Sequence, residues 1–254
     1  GRADGAMRPG ADVPGRITRQ PGGVALNIAM TLRRFGLTPS LLSTVGHDAE
    51  GDALLMEAAA MGLDVSMVHR SRHLPTDRYM AIEDAGGLVA AIADAHSLEA
   101  AGAAILAPLE DGRLGSMQAP YRGVVALDGN LTEGLLAQIA ASPFFARADL
   151  RVAPASPGKA ARLAPLLSSG RGTLYVNLEE AGILCDARFE TAPRAAQGLL
   201  ARGAQRALVT NGAQEAADGQ ADSVLAATPP CVDVARVTGA GDSFMGGLIA
   251  GLAA

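Results

Sequence analysis

Short apolar runs alternate with helical stretches along most of this chain, and that alternation restricts the possible folds more than any other feature. Leu41 to Val45, Gly123 to Leu127, Leu150 to Ala153, Thr173 to Val176 and Ala207 to Thr210 are short and apolar. Such runs suit strands buried on both faces. Between them, Val24 to Phe35, Gly51 to Met61, Thr132 to Ala141, Gly158 to Leu167 and Ala195 to Arg202 read as helices. The alternation predicts an α/β fold, with a mostly parallel central sheet and helices on both faces. Ligands of such sheets bind beyond the carboxyl ends of the strands. Asp128 and Asn130 follow one predicted strand, Asn177 another, and Thr210-Asn211-Gly212 a third. One segment departs from the pattern. Arg78 to Asp84 and Leu88 to Asp94 flank Gly86-Gly87 and read as a β-hairpin, and Ile17 to Arg19 offers a further strand.

The chain has 254 residues, 49% hydrophobic and 19% charged, enough for one substantial core. A net charge of -5 leaves no basic footprint for nucleic acid. The two cysteines, Cys185 and Cys231, make neither a disulfide framework nor a zinc spacing. Reduced thiols in a cytoplasmic protein are the expectation. A membrane span is not expected either, since no uncharged apolar run reaches roughly 18 residues. Pro157-Gly158-Lys159-Ala160 lacks the first Gly and the Ser or Thr of a Walker A loop, and Lys159 reads as a solvated helix residue.

The densest chemical signal is Arg236-Val237-Thr238-Gly239-Ala240-Gly241-Asp242-Ser243-Phe244-Met245-Gly246-Gly247, which runs into an apolar helix. Small residues ahead of a helix allow a sharp turn and leave the first N–H groups free to hold an anion. A carboxylate placed there, Asp242, repels a phosphate unless it accepts a proton from an attacking hydroxyl. The plainer alternative is an N-cap. A dinucleotide fingerprint fails, because Phe244 stands where the third glycine belongs. That argues against an oxidoreductase. Asn27 lies one turn after Gly22-Gly23, where glycines admit a sugar and an amide can both donate and accept. Asn177 and Glu180 share one helical face at a strand-to-helix junction. They read either as a helix cap or as organisers of a hard cation, mostly through water.

Taken in order, these segments resemble the ribokinase-like (phosphofructokinase-B) carbohydrate kinases. Pro21-Gly22-Gly23-Val24-Ala25-Leu26-Asn27-Ile28-Ala29 is similar to the family's N-terminal signature, and Val45 to Gly51 follow it as in family members. Asn177-Leu178-Glu179-Glu180 matches its Asn-x-x-Glu motif, and Thr238 to Phe244 its C-terminal signature. The resemblance implies a single kinase domain over residues 1–254. Its fold would be a three-layer sandwich with a small β lid, formed by about 12–20 and 76–95 and often used for a homodimer. It implies ATP and Mg2+, and a small-molecule sugar or nucleoside substrate, with no nucleic acid or membrane partner. Asp242 becomes the general base, with Gly239, Ala240 and Gly241 as the anion hole. Asp4, Gly22, Gly23, Asn27 and Asn130 join Asp242 in binding substrate. Thr210, Asn211, Gly212, Thr238, Gly239 and Gly241 join Asn177 and Glu180 around the nucleotide, and the last pair would act on the metal through water. Gly1 to Asp4 reads as the loop after a missing first strand, and the chain stops short of the family's last helices. Two departures stand out. Ala6 breaks the usual Asn-x-Asp around Asp4. Arg236 replaces an Asp that often helps bind a monovalent cation, which puts potassium activation in doubt.

Thr76 to Asp84 and Gly87 to Asp94 are similar to the lid of pseudouridine kinases, as are Pro14-Gly15-Arg16-Ile17 and Asp128-Gly129-Asn130-Leu131. Phosphorylation of pseudouridine at its 5′-hydroxyl is therefore the expected activity. Another nucleoside or sugar kinase of the family is the runner-up. A non-catalytic sensor of the same fold is the reading from another class, and retention of Asp242 opposes it.

Overall fold

The computed structural model describes residues 1–221, 223–233 and 239–253. Along the chain come β1 (Arg2–Ala3), β2 (Gly15–Arg16), α1 (Val24–Arg34), β3 (Thr44–Gly46), α2 (Ala49–Ala60), β4 (His69–Ser71), β5 (Arg78–Asp84), β6 (Gly87–Asp94), α3 (His96–Ala101) and α4 (Ala107–Glu110). Then follow β7 (Val124–Asp128), α5 (Glu133–Ala141), β8 (Asp149–Ala153), α6 (Ala164–Ser168), β9 (Thr173–Asn177), α7 (Leu178–Cys185), α8 (Ala192–Ala201), β10 (Arg206–Asn211), β11 (Gln214–Gln220), β12 (Ser223–Ala227) and α9 (Ala240–Ala253).

The main sheet has six strands in the order β12-β11-β10-β9-β8-β7. β7 to β10 are parallel, while β11 and β12 return antiparallel. Alternation along each strand feeds two cores. Val152, Leu174, Val176 and Val209 pack with α5, α7 and α8, whereas Ala153, Tyr175 and Leu208 pack with Ile28 of α1 and Met245 and Ile249 of α9. The result is the expected three-layer α/β sandwich. The expectation lacked β11 because Gln214-Glu215-Ala216-Ala217-Asp218-Gly219-Gln220 is too polar to register as a buried run, and β12, though apolar, is short and mostly exposed at the sheet edge.

A second sheet has the order β2-β1-β5-β6, with β5 and β6 forming the expected hairpin. Two expectations need correcting here. The extra strand is at Gly15–Arg16, not Ile17 to Arg19, and Gly1 to Asp4 is not a loop but contains β1. Close approach explains the register: a Cβ on Gly15 would lie 2.4 Å from the Arg2 carbonyl oxygen. Ile17 is left 96% exposed. Likewise the Leu41 to Val45 run is strand only at Thr44 and Val45, within β3 (Thr44–Gly46), which pairs with β4 in a separate two-stranded sheet. The predicted helix Gly158 to Leu167 is a 3₁₀ helix over Pro157–Leu163 followed by α6. Pro165 has no N–H to give to Ala161, so an α-helical ladder cannot run through; Ala164 N–H bonds that carbonyl instead. Among the described residues no helix is long and apolar enough to cross a membrane.

Asp48 ties these parts together. Its carboxylate caps α2 through Gly51 N–H at 2.7 Å, and accepts from Thr76 Oγ1 at 2.5 Å and Thr76 N–H at 2.7 Å, just ahead of β5. Thr76 Oγ1 in turn accepts from Gly46 N–H of β3. The Thr76 and Gly51 hydrogen bonds hold the Asp48 carboxyl down from 3.8 to about 2. A depressed pKa stabilises the fold above 3.8 and loses that contribution as pH falls toward 2. Asp48→Asn should therefore melt below the parent at pH 7, the gap narrowing as pH is lowered through that window. A constant gap in a thermal-melt series would refute the linkage.

Candidate active site

Asn27 and Asp242 stand 215 positions apart in sequence, yet Asn27 Nδ2 donates to Asp242 Oδ2 at 2.7 Å. Helix packing creates the contact. α9 lies against α1, and Gly246 makes the approach possible, since a Cβ there would sit 2.8 Å from Thr31 Cβ and 3.2 Å from the Ile28 carbonyl oxygen. Both helices enter through glycines with positive φ, Gly23 at 112° and Gly239 at 84°. Gly22 and Gly23 are exposed, with nothing within 4 Å of their missing side chains, so the approach to α1 is open. Gly239 lies beside Asn27, its ideal Cβ falling an ordinary 3.7 Å from Asn27 Nδ2, so its φ of 84° rather than crowding favours glycine there.

α9 begins at Ala240, which makes Asp242 a residue of its first turn rather than its N-cap. Ser243 N–H donates to the Gly239 carbonyl, a bond that belongs to the first turn of α9. The N–H groups of Ala240, Gly241 and Asp242 precede that bond at the positive end of the helix dipole. Burial pushes the Asp242 carboxyl above its ordinary value, with the Asn27 hydrogen bond pulling the other way.

The strand ends supply the surroundings. Asp128, at the end of β7, is 9% exposed, and its Oδ1 accepts from Asn130 N–H at 2.7 Å. Burial raises its carboxyl, hydrogen bonds from Asn130 lower it, Asp242 raises it and Lys159 lowers it. Its charge thus couples to Asp242. At the end of β9, Asn177 and Glu180 form a reciprocal capping box: Glu180 N–H donates to Asn177 Oδ1 at 2.9 Å and Asn177 N–H to Glu180 Oε2 at 2.8 Å. The cap is therefore real, and it uses one Glu180 oxygen. Burial raises the Glu180 carboxyl; the Asn177 N–H opposes this, and Glu179 and Asp242 add to it. Beyond the pair, Thr210, Asn211 and Gly212 join Asn177 and α7 in lining an open cavity of about 920 Å³.

Asp242, Asn27 and Gly239 are thus brought together, Asp128 and Glu180 lie within electrostatic reach, and Asn130 is bonded to Asp128. Asp4 is different: it is exposed beside β1, its N–H bonded to the Pro14 carbonyl, and no hydrogen bond or ion pair joins it to Asn27 or Asp242. Thr238, with Arg236 and Val237, lies outside the described residues. Lys159 is not the solvated helix residue expected; its Nζ donates to Asn130 Oδ1 at 2.6 Å. Asp128 was legible as a polar strand end, but its burial beside Asp242 has no local sequence signal.

A half-buried acid in the first turn of a helix, at the mouth of parallel strands and near an open cavity, is what an α/β phosphotransferase requires. The chain belongs to the pfkB family of carbohydrate kinases, whose model matches residues 4–254. It is 31% identical over 242 residues to a pseudouridine kinase of Escherichia coli, a match covering 92% of this chain and 74% of that protein. It is 36% identical over 133 residues to the uncharacterized sugar kinase YeiI of the same organism, a match covering 52% of this chain and 35% of that one. The chain thus spans about a third of one such relative and about three quarters of the other. The ribokinase of Thermotoga maritima shares the fold, with a TM-score of 0.78 at 18% identity over 99% of this chain and 80% of that one.

Proposed function

We propose that this kinase transfers the γ-phosphate of ATP to the 5′-hydroxyl of pseudouridine. The observation that carries the reading is the Asn27–Asp242 pair at the mouth of α9, in a chain similar to a pseudouridine kinase over 92% of its length. Asp242 takes the hydroxyl proton as the 5′ oxygen attacks the γ-phosphorus. The bond from that phosphorus to the β–γ bridging oxygen breaks, and ADP leaves with the electron pair. Asn27 fixes the carboxylate and, with Gly22, Gly23, Asn130 and Asp4, meets the ribose. The N–H groups at Gly239 to Gly241 hold the transferring group, with little covalent work left for the protein. The nucleotide occupies the cavity at Thr210 to Gly212.

Among the described residues no group of three or more His, Cys, Asp or Glu could hold a metal. This donor set fits magnesium, which takes few protein ligands and keeps water and phosphate. The Glu180 oxygen that the cap leaves over, with Asn177, would hold its waters. Bound there, the ion would offset phosphate charge. Arg236 in place of an acid supports no potassium site, and the free thiols Cys185 and Cys231 suit a cytoplasmic protein.

The deciding assay compares kcat/KM for pseudouridine, uridine, adenosine and ribose with magnesium titrated. Pseudouridine should rank first, and Glu180→Gln should raise the magnesium needed for half-maximal rate. A better rate with ribose or adenosine would move the chain to the runner-up reading, another sugar or nucleoside kinase. No transfer to any acceptor would favour a sensor.

The β2-β1-β5-β6 sheet serves as lid and homodimer contact. Met80 and Ile92 face each other across β5 and β6 while 52% and 61% exposed, an apolar surface that a second copy would cover. Sedimentation at micromolar concentration should show a dimer that Ile92→Asp dissociates. A monomeric parent would remove this part of the reading.

A further inference from the structure

Lys159 and Arg162 hold the loop after β7 from one side. They lie three residues apart on the 3₁₀ helix Pro157–Leu163, where Lys159 N–H bonds the Ser156 carbonyl. A 3₁₀ helix has three residues per turn, so positions three apart eclipse and both side chains leave the same face. Lys159 Nζ donates to Asn130 Oδ1 at 2.6 Å. Arg162 Nη1 sits over the Gly129, Asn130 and Leu131 carbonyls at 3.4, 3.3 and 3.5 Å, and its Nη2 reaches Glu99 of α3 at 2.9 Å. The loop can press this close because Gly129 has no side chain; a Cβ there would lie 3.1 Å from Ala155 N and 3.2 Å from Pro154 Cα.

The chemistry of the contact determines which way the Asn130 amide faces. An ammonium has three donors and no acceptor, so only the amide oxygen can meet it. Asn130 N–H is meanwhile engaged by Asp128. The NH₂ group of Asn130, a pure donor, also hydrogen-bonds the buried Asp128, whose charge couples to Asp242, and its second N–H is what remains for a ligand.

We propose that Lys159 is a positioning residue for the acceptor substrate: it locks the Asn130 amide so that its NH₂ donates to an acceptor oxygen of that substrate, and Arg162 holds the loop in place for it. The proposal rests on the kinase reading and on Asn130 as a substrate contact, but not on which nucleoside or sugar is bound. The partner group it requires is a hydroxyl or carbonyl oxygen; a donor-only group would find no complement at this amide.

The test is run with whichever acceptor in the panel gives the highest kcat/KM. Lys159→Met should raise KM for that acceptor about tenfold, with KM for ATP and the melting temperature unchanged, since one hydrogen bond loses its orientation. Lys159→Arg, which keeps a donor, should recover part of the loss. Asn130→Ala should raise the acceptor KM to a similar degree, and adding Lys159→Met to it should change nothing further, because the lysine acts only through the amide. An unchanged acceptor KM in Lys159→Met, a parallel rise in KM for ATP with a lower melting temperature, or additive effects in the double variant would each overturn the proposal. Transfer that ignores Lys159 sinks this inference alone, whereas no transfer to any acceptor sinks the kinase reading and this inference with it.

Discussion

Asp242→Asn should lower kcat by about 10²- to 10⁴-fold, the range for loss of a positioned general base. The amide is nearly isosteric with the carboxylate and can still meet Asn27 after a flip of either side chain, so α9 should keep its packing against α1. The expected signature is a fall in kcat with little change in melting temperature or in KM for ATP. The parent enzyme should also lose rate on acidification at a pH above the ordinary carboxylate range, because burial raises the Asp242 carboxyl and only its ionised form accepts the proton. Near-parental turnover in a folded Asp242→Asn protein would remove the base assignment.

Asn27→Asp is the second large effect. It replaces the donor 2.7 Å from Asp242 Oδ2 with a second carboxyl. Two carboxyls at that separation cannot both ionise readily, so they share a proton and the pair's upper titration rises. At pH 7 kcat/KM should fall about 100-fold, and the acid limb of the rate profile should move to higher pH. The sign follows from the role: activity belongs to ionised Asp242 and is lost as pH falls through its folded pKa, which the new carboxyl raises. Asn27→Ala lacks the like charge and should lose rate without moving the limb upward as far. Coincident pH profiles for Asn27→Asp and Asn27→Ala would show that Asn27 does not control this carboxyl.

Much of the site is legible as local strings. Gly239-Ala240-Gly241-Asp242 and Asn177-Leu178-Glu179-Glu180 are contiguous, and each does in the structure what its neighbours dictate: one opens α9, the other closes a capping box. Glycine identity alone marks the entry to α1, because Gly23 at φ 112° adopts a backbone few other residues tolerate. The buried strands β7 to β10 are readable because double-sided burial needs an uninterrupted apolar run. β11 is not, since Gln214 to Gln220 shows neither an apolar run nor a clean alternation, and β12 is a short apolar run that stays mostly exposed at the sheet edge.

Residue order by itself determined the α/β layering, the hairpin around Gly86-Gly87 and the identity of the acid and its turn, all consequences of interactions within a few positions. Tertiary structure decided which groups share the site. Asn27 reaches Asp242 only because Gly246 lets two helices from opposite ends of the chain touch. Asp128 acquires its raised carboxyl only from burial and from Asp242 nearby. Lys159 meets Asn130 only because the 3₁₀ helix Pro157–Leu163 packs against the loop after β7. Contacts of this kind depend on packing between distant segments, and no window of local sequence carries that distance.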